Sequence, residues 1–389
     1  MRYWRRKSLR VVAGLAGISE SHLSRLETGQ RALDRRSLLV ALANALEISP
    51  QELTALPVPS PGDGGVDVQV RAVRWALMAV TTGQPGGQVV PVDVLRDRVA
   101  QMREVRRRAA FTEVGESLAD VIRDVHTSIA DRHDISELLE LAVVVHVHLT
   151  AMWLRDASAP LDLRWLVATL AADAAREHGE STTLATAAYG SALTLLSAGA
   201  FDLAQAELDA APLPATTPDT AGLIGMLAMT RALLAASDGR PGDVAAPMES
   251  AAELAARVGD ETGGGQNDRL GFGFGPTNVG LWRMALALEA GEPDRAASIA
   301  EDVHPERHPF ATRQAAYWID YGRALSQLRG CHEDAVRALR RAEVIFPTRV
   351  HRNPFARETI AGLTVRARRD AVGRELRGMA YRMGLHRVG

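Results

Sequence analysis

Residues 8–31 read SLRVVAGLAGISESHLSRLETGQR, and this stretch decides the fold of the N-terminal part of the chain. Val11, Val12, Leu15 and Ala16 give a first helix an apolar face. Gly17 breaks that helix, Ile18 plugs the turn, and Ser19 can cap the next helix by accepting backbone N–H bonds. The next helix is expected over residues 20–28. It buries Leu23 and Leu26 and exposes Glu20, Ser21, His22, Ser24 and Arg25, and Gly29 ends it. Two short helices on a tight glycine turn, the second presenting short polar and arginine side chains, fit what a DNA major groove admits. Arginine can bond guanine N7 and O6 together, and a carboxylate can accept from cytosine N4.

The charge around this stretch points the same way. Residues 1–36 carry nine cations against Glu20, Glu27 and Asp34, a net of +6, whereas the whole 389-residue chain has a net charge of −2. A local basic cluster on a near-neutral protein suggests a dedicated phosphate-facing module. The composition is 47% hydrophobic and only 5% aromatic, dominated by alanine and leucine, which favours helices. The single cysteine, Cys331, excludes an internal disulfide framework and a thiolate metal cluster, and it fits a reducing compartment. No apolar segment follows the basic N-terminus, so a signal peptide is not expected. The longest apolar run, Leu141 to Leu149, is interrupted by His146 and His148 and is far shorter than the ~20 residues of a membrane span. A cytoplasmic, nucleoid-associated protein without a membrane partner is therefore expected.

Residues 57–69, PVPSPGDGGVDVQ, read as a linker because proline and glycine dominate and apolar content is low. Residues 1–56 before it are enough for a small module of five helices. Residues 70–389 after it look helical nearly throughout, with apolar residues at three- and four-residue spacing from Val70 to Val80 and from Ala185 to Ser197, among others. The expected fold class is all-α: a small N-terminal module followed by a large helical domain.

Four segments of that large domain share one template: ALTLLSAGAFDLAQAEL (192–208), RALLAASDGRPGDVAAPM (231–248), ALALEAGEPDRAASIA (285–300) and RALSQLRGCHEDAVRAL (323–339). In each, a helix ends at a glycine (Gly199, Gly239, Gly291, Gly330). A small residue five positions later (Ala204, Val244, Ala296, Ala335) lets the following helix approach closely. The glycines are spaced 40, 52 and 39 residues apart. The template resembles tetratricopeptide repeats, with a period longer than their ~34 residues.

A second resemblance is carried by AGLAGISESHLSRLETGQRALDRRSLLVALANALEIS. This run is similar to the lambda-repressor-like, or XRE-type, helix-turn-helix, in the version found in actinobacterial regulators. The matching residues include Ala13, Gly17, Ile18, Ser19, Ser21, Leu23, Ser24, Glu27 and Gly29, then Leu38, Ala41, Ala43, Leu46 and Ser49. The resemblance implies that Glu20, Ser21 and Arg25 face base edges. Ser19, His22, Ser24 and Arg31 would lie near bases or phosphates, and Arg35, Arg36 and Ser37 would hold the DNA backbone. Leu15, Ile18, Leu23, Leu26, Leu38, Leu42 and Leu46 would form the core, with Glu27 paired to a nearby arginine. The chain departs from the family at Leu9, where a phosphate-contacting glutamine is usual. It departs also before Ser8, where a full helix and turn are usual: either an upstream in-frame start would supply them, or a few residues are deleted between Arg6 and Ser8. Beyond the linker, FGPTNV and the repeats resemble the tetratricopeptide-like sensor half of large actinobacterial XRE regulators and, more loosely, peptide-pheromone receptors.

The resemblance implies a homodimeric transcription regulator of double-stranded DNA, with half-sites about one turn, or ~34 Å, apart or a multiple of it. A peptide or small-molecule effector would bind the concave face of the repeats. An extended peptide needs amide groups and aromatic pockets, for which Asn278, Trp282, Arg283, Tyr317, Trp318 and Tyr321 are candidates, although the same residues also read as core aromatics and helix caps. The rival reading is a tetratricopeptide-like interaction scaffold with a head that does not bind DNA. Nothing positive supports an enzyme, a cofactor or a metal. The glycine-rich stretch around 263–275 lacks the Gly-Lys-Ser/Thr ending of a phosphate loop. His146 and His148 point about 200° apart on a helix, and Pro305 and Pro309 disrupt a helix through His304 and His308.

Overall fold

The computed structural model describes residues 1–54, 64–212, 218–260, 271–365 and 371–385, and among these every regular element is helical. The N-terminal head comprises α1 (Leu9–Leu15), α2 (Glu20–Glu27), α3 (Arg36–Leu46) and α4 (Pro50–Thr54). The expected fifth helix is absent from the described residues of the head, because residues 2–6 form only turns. Those turns are held by three side chains. Arg2 grips the Glu27 carboxylate with Nε at 2.8 Å and a second nitrogen at 3.1 Å. Lys7 Nζ reaches the Ala45 carbonyl at 2.7 Å and Glu47 at 2.9 Å, and Arg5 bonds the Glu47 carbonyl. Part of the basic cluster thus holds the head together.

The head buries Val12, Ala13, Leu23, Leu38, Leu42 and Leu46, with Ile18 and Leu26 packed against them. Leu15 departs from expectation: it is 63% exposed, and Val11 is 48% exposed. In a seven-residue helix whose inner face is set by Leu9, Val12, Ala13 and Ala16, positions 11 and 15 fall on the opposite face.

The large domain begins earlier than proline and glycine content suggested. α5 (Gly64–Thr81) takes in the last residues assigned to the linker, because Val66, Val70 and Val73 supply a helical apolar face that packs on the main core. There follow α6 (Val92–Arg107), α7 (Phe111–Ala130) and α8 (Ile135–Val144), a π-helical segment Val145–Ala151, and α9 (Met152–Asp156). Next come α10 (Leu161–His178), α11 (Ser181–Ala198), α12 (Phe201–Ala210), α13 (Pro218–Ser237) and α14 (Ala245–Val258). After these lie α15 (Pro276–Ala290), α16 (Pro293–Asp302), α17 (Ala311–Gln327), α18 (His332–Ile345), α19 (Pro347–Arg352), α20 (Pro354–Val365) and α21 (Ala371–Arg382).

Helices α11/α12, α13/α14, α15/α16 and α17/α18 pack as hairpins, and α11, α13, α15 and α17 also pack on one another in series. All four template glycines have positive φ: +76° at Gly199, +74° at Gly239, +77° at Gly291 and +80° at Gly330. Gly199 and Gly291 cap α11 and α15, and Gly239 follows the end of α13 by two residues, whereas α17 ends at Gln327 on an extended Leu328 and Gly330 lies three residues beyond, in the turn. Ala204, Ala296 and Ala335 are completely buried at the hairpin contacts, whereas Val244 is half-buried and caps α14. The result is a layer of first helices lining an interior face and a layer of second helices outside.

Two stretches, Ile135–Asp156 and Thr220–Ser237, are long and apolar enough to cross a membrane by length and composition. This exceeds what the interrupted run Leu141 to Leu149 suggested, because the helix continues through the histidines. In each, 67% of the apolar window is buried inside the fold.

Candidate functional site

The outer face of the head is built by its caps. Ser8 accepts from the Val11 amide and Ser19 from the His22 amide, each at 3.2 Å, so both helices start where the serines place them. Between them Gly17 adopts φ +67°, which lets the Ile18 amide reach back to the Ala13 carbonyl at 3.0 Å and turns the chain sharply. With Leu23 inward, α2 leaves Glu20, Ser21 and Arg25 exposed, and Ser19 and Arg31 are exposed beyond its two ends. Ser24 and His22 are half-buried. Burial, with Arg31, Arg35 and Arg25 nearby, lowers the His22 pKa, so its ring is neutral at pH 7. Arg25 Nε bonds the Ser21 carbonyl at 3.1 Å, which lays the guanidinium along the helix.

Residues 1–56 match the family model of a helix-turn-helix domain. No curated protein and no solved structure is significantly similar to the chain.

The helix-turn-helix domain does not stand apart from the large helical domain. The Glu289 carboxylate of α15 accepts from the Arg36 amide at 3.0 Å and from the Ser37 amide at 2.6 Å, capping the start of α3. Arg323 of α17 donates to the Asp34 carbonyl at 2.6 Å, and Gln51 of α4 accepts from the Leu161 amide at 2.9 Å. At Gly199 a Cβ would lie 2.8 Å from Val40, so the glycine serves both the helix end and the approach of α3. Arg36 and Ser37, expected on the DNA backbone, are therefore engaged inward here: the Ser37 amide is capped by Glu289, and the Arg36 guanidinium lines an interior cavity. Arg35 is half-buried, 3.8 Å from Asp34.

That cavity, about 660 Å3, lies between α3 and α4 and the interior face of the large domain. Of the six residues expected to bind an effector, Asn278, Trp282 and Tyr317 line it. The other three lie elsewhere. Arg283 is exposed on the far side of α15, while Trp318 and Tyr321 pack beside Tyr317 towards α16 and α18, with Arg341 4.1 Å above the Trp318 ring. Asn278 does not face open space: its Oδ1 accepts from Arg313 at 2.8 Å. Sequence reasoning missed the charged lining, Arg106, Arg155, Arg164, Arg313 and Arg349 with Asp156 and Asp320. A signal existed in α17, where Arg313, Tyr317, Asp320 and Arg323 recur on one helical face.

The histidines discounted as metal ligands are packing groups. His146 Nε2 lies 2.8 Å from His126 Nε2, and His148 packs edge-on against Phe272 at 4.6 Å. His308 is buried and accepts from the Phe310 amide at 3.0 Å, whereas His304 is exposed, 3.4 Å from Glu306. No group of three or more histidine, cysteine, aspartate or glutamate residues among the described residues is placed to hold a metal ion.

Proposed function

We propose that the protein is a sequence-specific DNA-binding transcription regulator, acting as a homodimer in the cytoplasm on the nucleoid, and not an enzyme. The observation that carries this reading is the exposed row Glu20, Ser21 and Arg25 on α2, in a helix-turn-helix domain with Arg31 exposed just beyond. Such side chains can exchange water for base edges without leaving a buried group unpaired. One short helix contacts few base pairs, so two copies on half-sites ~34 Å apart, or a multiple of it, would be needed for selectivity. The stacked hairpins, with a glycine in the left-handed conformation in the turn of each, support reading the large domain as a tetratricopeptide-like sensor of the kind found in actinobacterial XRE regulators. Its interior cavity is the place for an effector, peptide or small molecule.

The test is a mobility-shift titration of the DNA upstream of the protein's own gene over a range of salt. Arg25→Ala should weaken binding by about 1–3 kcal/mol and relax specificity, and Arg31→Ala should weaken all sequences alike and reduce the salt slope by about 1. Binding unchanged in both variants would leave the interaction scaffold as the function.

A further inference from the structure

The cavity between the helix-turn-helix domain and the repeats holds more cations than its own structure uses. Eight arginines line it against the three carboxylates of Asp156, Glu289 and Asp320. Some are tied: Arg349 to Asp156 at 2.7 Å, Arg323 to Asp320 at 2.7 Å, Arg352 to Asp67 outside the lining at 3.0 Å, and Arg164 to Ser197 at 3.1 Å. Arg106 is different. Its Nε has no hydrogen-bond partner, and its guanidinium lies 5.7 Å from the centre of the Phe310 ring, where a ring face offers only partial compensation for lost water. The Nε atoms of Arg313 and Arg349, Trp282 Nε1 and His148 Nε2 are likewise buried and unpartnered. Desolvation, with neighbouring arginines adding to it, lowers the Arg106, Arg164 and Arg313 guanidiniums to about 10.

A fold gains nothing by crowding desolvated like charges around a space of this size. The space lies within the 300–1,000 Å3 typical of ligand sites. Its aromatic walls, Tyr189, Phe272, Trp282, Phe310 and Tyr317, offer faces for a flat ring. We propose that this cavity binds an organic polyphosphate of nucleotide size, its phosphates taken by Arg106, Arg313 and Arg349 and its ring by the aromatic wall. Polyphosphate is favoured over a single carboxylate because a lining in which eight cations face three carboxylates needs several negative charges in one small molecule. Arg36 enters the same cavity from α3, so a bound polyphosphate touches both domains and holds the helix-turn-helix domain in the docked position. The assignment rests on reading the large domain as the sensor.

The experiment uses the full chain with ATP, tripolyphosphate, adenosine and citrate at constant ionic strength, read by thermal denaturation and calorimetry. ATP should raise the Tm most and tripolyphosphate less, and adenosine and citrate should leave it unchanged. Arg106→Met removes a buried cation whose Nε has no hydrogen-bond partner. The ligand-free variant should melt no lower than wild type, while its affinity for ATP falls about ten-fold or more, as loss of a charge-assisted contact implies. Arg313→Met should weaken ATP similarly, and the exposed Arg337→Met should not. Citrate or adenosine acting as strongly as ATP would overturn the assignment. So would an ATP shift of equal size in both cavity variants, or no shift in wild type. A mobility shift on the same samples separates the two readings: ATP binding without DNA binding removes only the regulator, and DNA binding without ATP binding removes only the polyphosphate site.

Discussion

Glu343 is 2% exposed and gathers three side chains from three helices through four nitrogen contacts. Arg382 of α21 approaches it with two nitrogens at 2.8 and 2.7 Å, Arg340 donates at 2.7 Å, and His351 Nε2 lies at 2.8 Å. Burial alone would raise its carboxyl, but the hydrogen bonds from Arg382, His351 and Arg340 win and hold it well below the ordinary carboxylate range. Glu343→Gln keeps the shape and removes the charge. It should cost about 2–3 kcal/mol, less than the 3–5 of a fully buried pair because Arg340 and Arg382 can turn to water. A lower urea midpoint with an unchanged slope is the expected readout. The same residue scale explains His22. A phosphate arriving beside it would oppose the burial and the three arginines that together depress its pKa, so DNA binding should take up a proton and tighten as pH falls towards 6. Affinity independent of pH in His22→Gln, against a rise in wild type, checks it.

The element that joins the two halves is α3. Its first amides would be unsatisfied without Glu289, since Arg35 at its N-cap supplies no side-chain bond. Glu289→Ala should remove about 1 kcal/mol of capping and release the helix-turn-helix domain, seen as a separate low-temperature transition and as faster amide exchange at residues 36 and 37. A single unchanged transition would mean that Gln51 and Arg323 suffice. This docking was not legible in the sequence, because Glu289 and Arg36 lie 253 positions apart and carry no local pattern. What was legible rests on local chemistry. The serine caps and Gly17 turn placed α2 to within a residue, and the template glycines placed three helix ends, because φ above zero is costly for other residues, while α17 stops at Gln327, three residues before Gly330. Leu15 and the linker end failed for the opposite reason. Hydrophobicity says that a side chain prefers burial, but only the neighbours decide whether a face is covered.

At the scale of the whole molecule the buried histidines set the response to acid. Desolvation lowers His126 to about 4 and His308 to about 3, and it holds His146 and His148 well below 6.5. Each stays neutral in the folded chain while its unfolded counterpart titrates near 6.5, so the unfolded state binds more protons below that value. The stability these rings contribute is therefore present above about pH 6.5 and is lost as pH falls, until the folded pKa is reached. Glu343, whose folded pKa is depressed, adds its own loss only below its unfolded value near 4.5. Between those limits the histidines give the slope, at about 1.4 kcal/mol per pH unit for each fully suppressed ring, opposed by Glu358, whose carboxyl pKa is raised by burial. The Tm should fall from pH 7 to pH 5. His148→Phe keeps an aromatic against Phe272 and removes one titrating group, so its slope should be shallower by one ring. An equal slope would mean that His148 reaches water through the cavity it lines, and that Arg103 and Arg106, which disfavour its charge, are screened there.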